Sequence, residues 1–141
     1  MSRASATTLS PLLAFVLVLM LAPAARAEEN INCANASSTV EMNFCADKDF
    51  QAADKELNAT YEAALASTKT RDLEKPYDAK SFEDAMRAAQ RAWVAYRDAD
   101  CKDLTAQEWS GGSGTTAAVL GCMTEKTIQR TKELKERYGE H

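Results

Sequence analysis

The stretch STVEMNFCADKDFQAADKELNATYEAALAS, residues 38–67, decides the fold of this chain. Ser38 followed three residues later by Glu41 has the form of a capping box, which marks the start of a helix. Apolar side chains then recur at steps of three and four residues, as on one face of an α-helix: Ala46, Phe50, Ala53, Leu57, Tyr61 and Ala64. Because neither Gly nor Pro interrupts the pattern, it predicts a long helix from about Thr39 to Ser67.

A second helix is predicted after a charged linker that contains a Pro, residues 68–80. Ser81 is the candidate N-cap, with carboxylates in the first turn, where they favour the helix dipole. The apolar face then continues at steps of four and three: Phe82, Met86, Ala89, Trp93 and Tyr96. We interpret Trp93 and Tyr96 as core residues and expect this helix to end near Cys101.

A third helix is predicted after a glycine-rich loop at about residues 102–115. Thr115 or Thr116 can cap this helix, which ends at Gly139. Its apolar stripe is Leu120, Thr124, Ile128, Thr131, Leu134 and Tyr138. Since no stretch shows the period-two alternation of strands, we expect an all-α fold, a small antiparallel bundle of three main helices with local disulfide staples.

The N-terminus has the pattern of a secretory signal peptide. Arg3 precedes an eleven-residue apolar run at residues 12–22, and Ala25-Arg26-Ala27 is a small-x-small cleavage signal. The run is short for a membrane span, which needs about 20 residues. We therefore expect cleavage after Ala27, with residues 1–27 as signal peptide and residues 28–141 as a single domain, free of the membrane in the periplasm or medium.

The charge of the mature chain is acidic. Of the 17 basic residues, Arg3 and Arg26 lie in the signal segment, so 15 remain against 21 acidic ones, a net charge of −6. An acidic surface argues against binding to nucleic acid or to anionic membranes. It permits electrostatic steering towards a basic protein partner, although solubility alone also explains it.

Four cysteines survive cleavage: Cys33, Cys45, Cys101 and Cys122. An even number in an exported chain of this size indicates two disulfides. Of the three pairings we favour Cys33–Cys45 with Cys101–Cys122, because each closes a local loop. There is no C-x-x-C, and the only His is the last residue, so we expect neither a zinc site nor a thiol oxidoreductase, and no cofactor.

Catalysis is not expected either. The nucleophile, metalloprotease and phosphate-loop motifs are missing, and with the cysteines oxidised no internal base stands ready to activate a Ser or Thr. Asp98 and Asp100 are two residues apart on a helix and so point away from each other. Arg97 is better explained by a structural ion pair with a carboxylate of a neighbouring helix, such as Asp54.

Several residue patterns in the chain are specific when taken together. The first helix carries Asp54-x-x-Leu57-Asn58-x-x-Tyr61 and the second Gln90-Arg91-x-Trp93-x-x-Tyr96-Arg97-Asp98-x-x-Cys101. They continue in Gly111-Gly112-Ser113, Cys122 and Thr127-x-x-Arg130-x-x-x-Leu134. In this combination, which spans about residues 33–138, the chain resembles the LprI-type lysozyme-inhibitor domain family. The shared motif residues can all be structural.

The resemblance implies an exported bacterial α-helical domain that inhibits lysozyme or a related cell-wall glycosidase by non-covalent binding. The chain lacks the lipid-attachment cysteine of the family's namesake. For the binding surface, we single out the loop between the last two cysteines, with a Trp as anchor and hydroxyls and glycine amides as donors: Trp109, Ser110, Gly111, Gly112, Ser113 and Thr115. Trp109 could equally cover the helix ends. The alternative function is a non-catalytic periplasmic or envelope module of unknown ligand, and the sequence leaves the oligomeric state open.

Overall fold

The computed structural model describes residues 31–72 and 74–139. The predicted all-α class is confirmed, because the described residues form helices and no strand. The α-helices are α1 (Thr39–Thr68), α2 (Ala79–Asp98), α3 (Thr105–Glu108) and α4 (Thr115–Tyr138). A 3₁₀ turn (Cys33–Asn35) precedes α1, and a π-helical segment (Ala99–Leu104) joins α2 to α3. The predicted signal segment, residues 1–27, lies outside the described residues.

The first helix begins where the capping box predicts. The backbone N–H of Glu41 donates to the hydroxyl of Ser38 at 3.2 Å, and the Glu41 carboxylate accepts from the Ser38 N–H at 2.9 Å. These two bonds satisfy N–H groups that have no partner inside the helix. Hydrogen bonds to the Glu41 carboxylate, first from the backbone N–H of Ser38 and then from that of Ser37, lower the pKa of Glu41 to about 2.

The predicted start of the second helix is wrong by one turn. The N-cap is Asp78, whose carboxylate accepts from the backbone N–H of Ser81 at 2.9 Å. Ser81 instead lies inside the first turn, and its hydroxyl donates back to the Asp78 carbonyl at 2.9 Å. Asp and Ser are both favoured at the N-cap, and in this helix Asp78 rather than Ser81 occupies that position.

The predicted loop after Cys101 is mostly helical. The chain continues from α2 through the π-helical segment into the single turn of α3, so the true loop is residues 109–114. Neither Gly nor Pro occurs between Cys101 and Gly111, so nothing in this stretch stops the helix. The helix after the loop begins at Thr115 with Gly114 at the N-cap, so neither Thr115 nor Thr116 caps it.

Consecutive long helices run antiparallel, as predicted, so that α1 and α4 run in the same direction. The α2–α4 contacts show this order, because Tyr96 meets Lys126 at one end and Phe82 meets Tyr138 at the other. The α1 residue Glu56 pairs with Lys135 of α4 at 2.6 Å. The start of α1, the end of α2, α3 and the start of α4 therefore share one end of the bundle, which we call the disulfide end.

The core is built around α1 and α4. Leu57 and Leu134 are each 2% exposed, and a cluster of Ala64, Leu65 and Met86 is flanked by Tyr61, Phe82 and Tyr138. The predicted stripe of the last helix is off by one residue at its centre, where Ile128 is 57% exposed and Thr127 is fully buried. Ala89 of α2 is also exposed.

Both disulfides have the local pairing that we favour. Cys33 bonds to Cys45, which ties the 3₁₀ turn to the second turn of α1. Cys101 bonds to Cys122, which ties the π-helical segment to α4. Cys101 is fully buried. Each bond stabilises the fold by limiting the freedom of the unfolded chain, by about 3 kcal/mol in the loop-entropy account.

Candidate functional site

The loop of residues 109–114 closes tightly on itself. The carbonyl of Trp109 accepts from the N–H of Gly112 at 3.0 Å, and the carbonyl of Gly112 accepts from the N–H of Thr115 at 3.0 Å. Ser110 and Gly111 have φ values of 51° and 66°, the left-handed region that favours glycine. These two turns, with the Cys101–Cys122 bond behind them, define one conformation for the loop.

The ring of Trp109 lies in contact with Gly114. A Cβ added at Gly114 would come within 2.5 Å of Cζ3 of the indole, so only a glycine allows this approach. Trp109 is 52% exposed. The indole therefore packs on the N-cap residue of α4 while about half of the Trp109 surface stays open to solvent.

The other predicted loop residues divide into two groups. Ser110, Gly111, Gly112 and Ser113 are exposed and can offer donors to a partner. Thr115 cannot, because its Oγ1 atom is buried and has no hydrogen-bond partner among the described residues. The prediction of Thr115 as a surface donor is therefore wrong, since the start of α4 turns this side chain inward.

The disulfide end carries further exposed apolar side chains. Val40 and Phe44, one turn apart on α1, are 73% and 46% exposed. Leu104 of the π-helical segment is 53% exposed, and Met42 is also exposed. Most of the large exposed hydrophobic residues of the described chain thus lie at the end that holds the loop and both disulfides. Clustered exposed apolar side chains are a feature of protein interaction sites.

Arg97 joins the three long helices below this end. Its guanidinium lies 3.3 Å from the Asp54 carboxylate of α1, donates to the Thr127 hydroxyl of α4 at 3.2 Å, and pairs with Asp98 at 3.0 Å. The rings of Phe50 and Trp93 lie on it, with centroids 5.4 Å and 5.3 Å from Cζ. The predicted ion pair with Asp54 is thus present, in a position that is structural rather than open to a ligand.

A second set of charged contacts connects α2 to α4 next to Arg97. Lys126 pairs with Asp100 at 2.9 Å and donates to the Tyr96 hydroxyl at 3.2 Å, which together raise the pKa of Lys126. Partial burial raises the pKa of Asp98, but hydrogen bonds from Lys102 and Arg97 outweigh it and the pKa lies below its ordinary value. The contacts of Lys126 thus join α4 to α2 and the π-helical segment, whereas those of Asp98 are made to neighbours along the chain.

Metal chemistry does not fit the cysteine pair. The carboxylate of Asp100 and the sulfurs of Cys101 and Cys122 lie close together. The two sulfurs are bonded to each other, however, and the carboxylate is held by Lys126. Metal ligation needs thiolates, which a disulfide does not supply.

The comparison with known families establishes the family of this chain. The sequence profile described as "Lysozyme inhibitor LprI" matches residues 32–134, well over half of the chain. The chain belongs to the LprI family. An uncharacterized protein of Rhizobium meliloti (strain 1021) is 41% identical over 137 residues, which cover 95% of this chain and 94% of the relative. No solved structure matches the chain.

Most of the LprI motif residues lie in the structural contacts rather than in the exposed loop. Leu57 is core, Tyr61 flanks the buried cluster, and Asn58 is exposed and donates to Asp54 at 3.0 Å. The side-chain amide oxygen of Gln90 accepts from the Nε–H of Arg130 of α4 at 3.1 Å, and Arg91 is exposed.

The interpretation of Trp93 and Tyr96 as core residues of the LprI domain needs a correction. Trp93 is half-buried between Arg97 and Arg130, whose Cζ atoms lie 5.3 Å and 5.9 Å from its ring. Tyr96 is 56% exposed. Its ring lies under the Lys126 ammonium, 4.9 Å from the centroid. Tyr96 therefore covers an ion pair at the surface and does not fill the core.

Sequence reasoning included Thr131 in the stripe of the last helix but missed the buried Thr127 and Thr68 of this LprI domain. Thr127 accepts from Arg97, and Thr131 donates to the Thr127 carbonyl at 2.9 Å. Thr68 is also fully buried, with its hydroxyl on the Leu65 carbonyl. The four-residue spacing of Thr127 and Thr131 was the available signal for Thr127.

Proposed function

We propose that this chain is an exported inhibitor of lysozyme or of a related cell-wall glycosidase, and that it binds through the disulfide end of the bundle. The membership of the LprI family supports the class of target. The observation that supports the surface is the Trp109 indole, half exposed and fixed against Gly114 in a loop that the Cys101–Cys122 bond closes.

The physical properties of this end suit a tight, non-covalent protein contact. A loop with one conformation loses little entropy on binding. A tryptophan in such a loop is an anchor of the kind that dominates interface energies, and Val40, Phe44 and Leu104 add exposed apolar surface at the same end of the bundle. The Ser110 and Ser113 hydroxyls and the glycine amides can donate to the carboxylates that glycosidase clefts carry between their sugar subsites.

The charge of the chain suits a basic target. Animal-type lysozymes are strongly basic, and the whole sequence has a formal net charge of −4 that becomes −6 after removal of Arg3 and Arg26. Opposite charges raise the association rate, and salt weakens this effect. The proposed binding should therefore become weaker as the ionic strength rises.

A surface-immobilised lysozyme tests the binding surface. Trp109→Ala should weaken binding by about 2 kcal/mol or more, chiefly through faster dissociation. The matched control is Tyr77→Ala, which removes an aromatic side chain that is 76% exposed and outside the disulfide end. Equal affinities of the two variants would remove the disulfide end from the proposal and leave the family assignment untouched.

The alternative is a non-catalytic envelope module whose ligand is not a lysozyme. It would keep the same exposed tryptophan for an endogenous protein or glycan. A pulldown from bacterial envelope extract with the wild-type chain and with Trp109→Ala separates the two, because only this alternative expects an envelope component that the wild type captures and the variant does not.

A further inference from the structure

A cavity of about 370 Å³ opens between α2 and α4, towards the end opposite the disulfides. Its walls are aromatic and aliphatic. They include Tyr61 of α1, together with Phe82, Met86, Trp93, Leu134 and Tyr138. The volume is at the lower end of the range for small-ligand pockets, which begins at about 300 Å³. The cavity therefore has the size and the lining for the body of a small aromatic molecule.

Arginines surround this apolar wall. Arg130 and Arg137 of α4 line the cavity, and the Arg71 guanidinium lies over the rings of Phe82 and Tyr138, at 5.1 Å and 5.9 Å from their centroids. Among the described residues no carboxylate lies within ion-pair distance of Arg71 or Arg137. The Arg137 guanidinium in the cavity wall is thus available for an anion, and Arg71, which is not part of the wall, adds positive charge beside Phe82 and Tyr138.

Two of the nearby carboxylates are already paired. Glu83 of α2 binds Arg87 at 2.7 Å, and Glu133 of α4 binds Arg130 at 3.2 Å. The lining of the cavity contains two arginines and no acidic residue, on a chain whose formal net charge is −4. Arginine binds carboxylates through paired N–H donors and also stacks on aromatic faces. It can therefore contact both the carboxylate and the ring of an aromatic acid.

We propose that this cavity binds a small aromatic carboxylate, with the ring against Phe82 and Trp93 and the carboxylate on Arg71 and Arg137. The site is separate from the disulfide end and does not depend on lysozyme binding. It gives this LprI-family domain a ligand-recognition function of its own.

Calorimetric titration with 1-naphthoate tests the site on the purified, disulfide-bonded protein, with 1-naphthalenemethanol as the neutral probe of the same shape. One saturable site is expected for naphthoate, with an affinity about tenfold higher than that of the alcohol. Arg137→Gln and Arg71→Gln should each weaken naphthoate binding about threefold, since each removes a partly screened charge. Ala89→Trp places a large side chain in the mouth of the cavity and should abolish binding.

The matched control is Lys48→Gln, which removes one positive charge from the exposed surface of α1. It should leave the naphthoate affinity unchanged. Circular dichroism and a urea midpoint confirm that each variant is folded. The proposal is overturned by a lack of saturable binding, by equal affinities for naphthoate and the alcohol, or by an equal effect of Lys48→Gln and Arg137→Gln.

Discussion

The guanidinium of Arg97 on α2 lies 3.3 Å from the carboxylate of Asp54 on α1, and Arg97 is only 6% exposed. The same side chain reaches Thr127 of α4, so one residue connects all three long helices. A buried charge is tolerated only when its hydrogen-bond partners are in place. The packing of the bundle therefore depends on this arginine keeping its partners on all three helices.

Replacing Arg97 by Met should destabilise the fold by about 2–3 kcal/mol, because Thr127 loses its partner and Asp54 loses its counter-charge. Urea unfolding monitored by circular dichroism measures the change. The control is Arg91→Met, six residues earlier on α2 and exposed. It should alter the free energy of unfolding by less than about 0.5 kcal/mol. Equal losses for the two variants would contradict the central role of Arg97.

The capping box should make stability depend on pH in the acid range. The pKa of Glu41 is lowered from 4.5 to about 2, so its contribution is present above the unfolded-state value and is lost as the pH falls through the folded-state value. Glu41→Gln should therefore flatten the decline of unfolding free energy between pH 4.5 and 2. The matched control is Glu62→Gln, an equal charge change at an exposed position in the second half of α1 and outside the capping box.

Replacement by Ala is expected to have opposite effects at Gly114 and at Gly121. Gly114→Ala would place a Cβ 2.5 Å from the Trp109 ring and so should displace the indole, which changes the tryptophan fluorescence and weakens lysozyme binding. Gly121→Ala meets nothing within 4 Å inside α4 and should stabilise the helix by up to about 1 kcal/mol. If both variants keep the wild-type emission and affinity, the contact between the ring and Gly114 does not fix the indole.

The two disulfides should differ in their effect on stability and on binding. Replacing both Cys101 and Cys122 by Ser opens the larger loop, with a sequence separation of 21 residues against 12 for the other pair. The loop-entropy term then predicts a loss of about 3 kcal/mol, roughly 0.5 kcal/mol more than for Cys33 and Cys45. Thermal unfolding compares the two double variants. The central claim also requires a clear loss of lysozyme affinity when Cys101 and Cys122 are replaced.

Local signals in the sequence correctly predicted the parts of the fold that are determined by residues close together along the chain. The capping box at Ser38 gave the start of α1 because its hydrogen bonds are made within one turn. Gly139 marked the end of α4 for the same reason. The pairing of the cysteines also followed from short separations along the chain.

The errors arose where a neighbouring helix decides the outcome. Apolar spacing cannot choose between adjacent residues such as Thr127 and Ile128, and the hydroxyl acceptor that Arg97 requires placed the threonine inside. Tyr96 lies outside because Lys126 and Asp100 meet at that position. The position of the Trp109 ring on Gly114 depends on the helical course of residues 99–108. The sequence analysis had predicted a loop from about residue 102 instead.

The most direct test of the central claim is the lysis of bacterial cell walls by lysozyme in the presence of the purified chain, followed as loss of turbidity. With the protein in molar excess at low ionic strength, lysis by a basic lysozyme should slow in proportion to the inhibitor added, and added salt or Trp109→Ala should restore it. Undiminished lysis by several classes of lysozyme under the same conditions would contradict the proposed function.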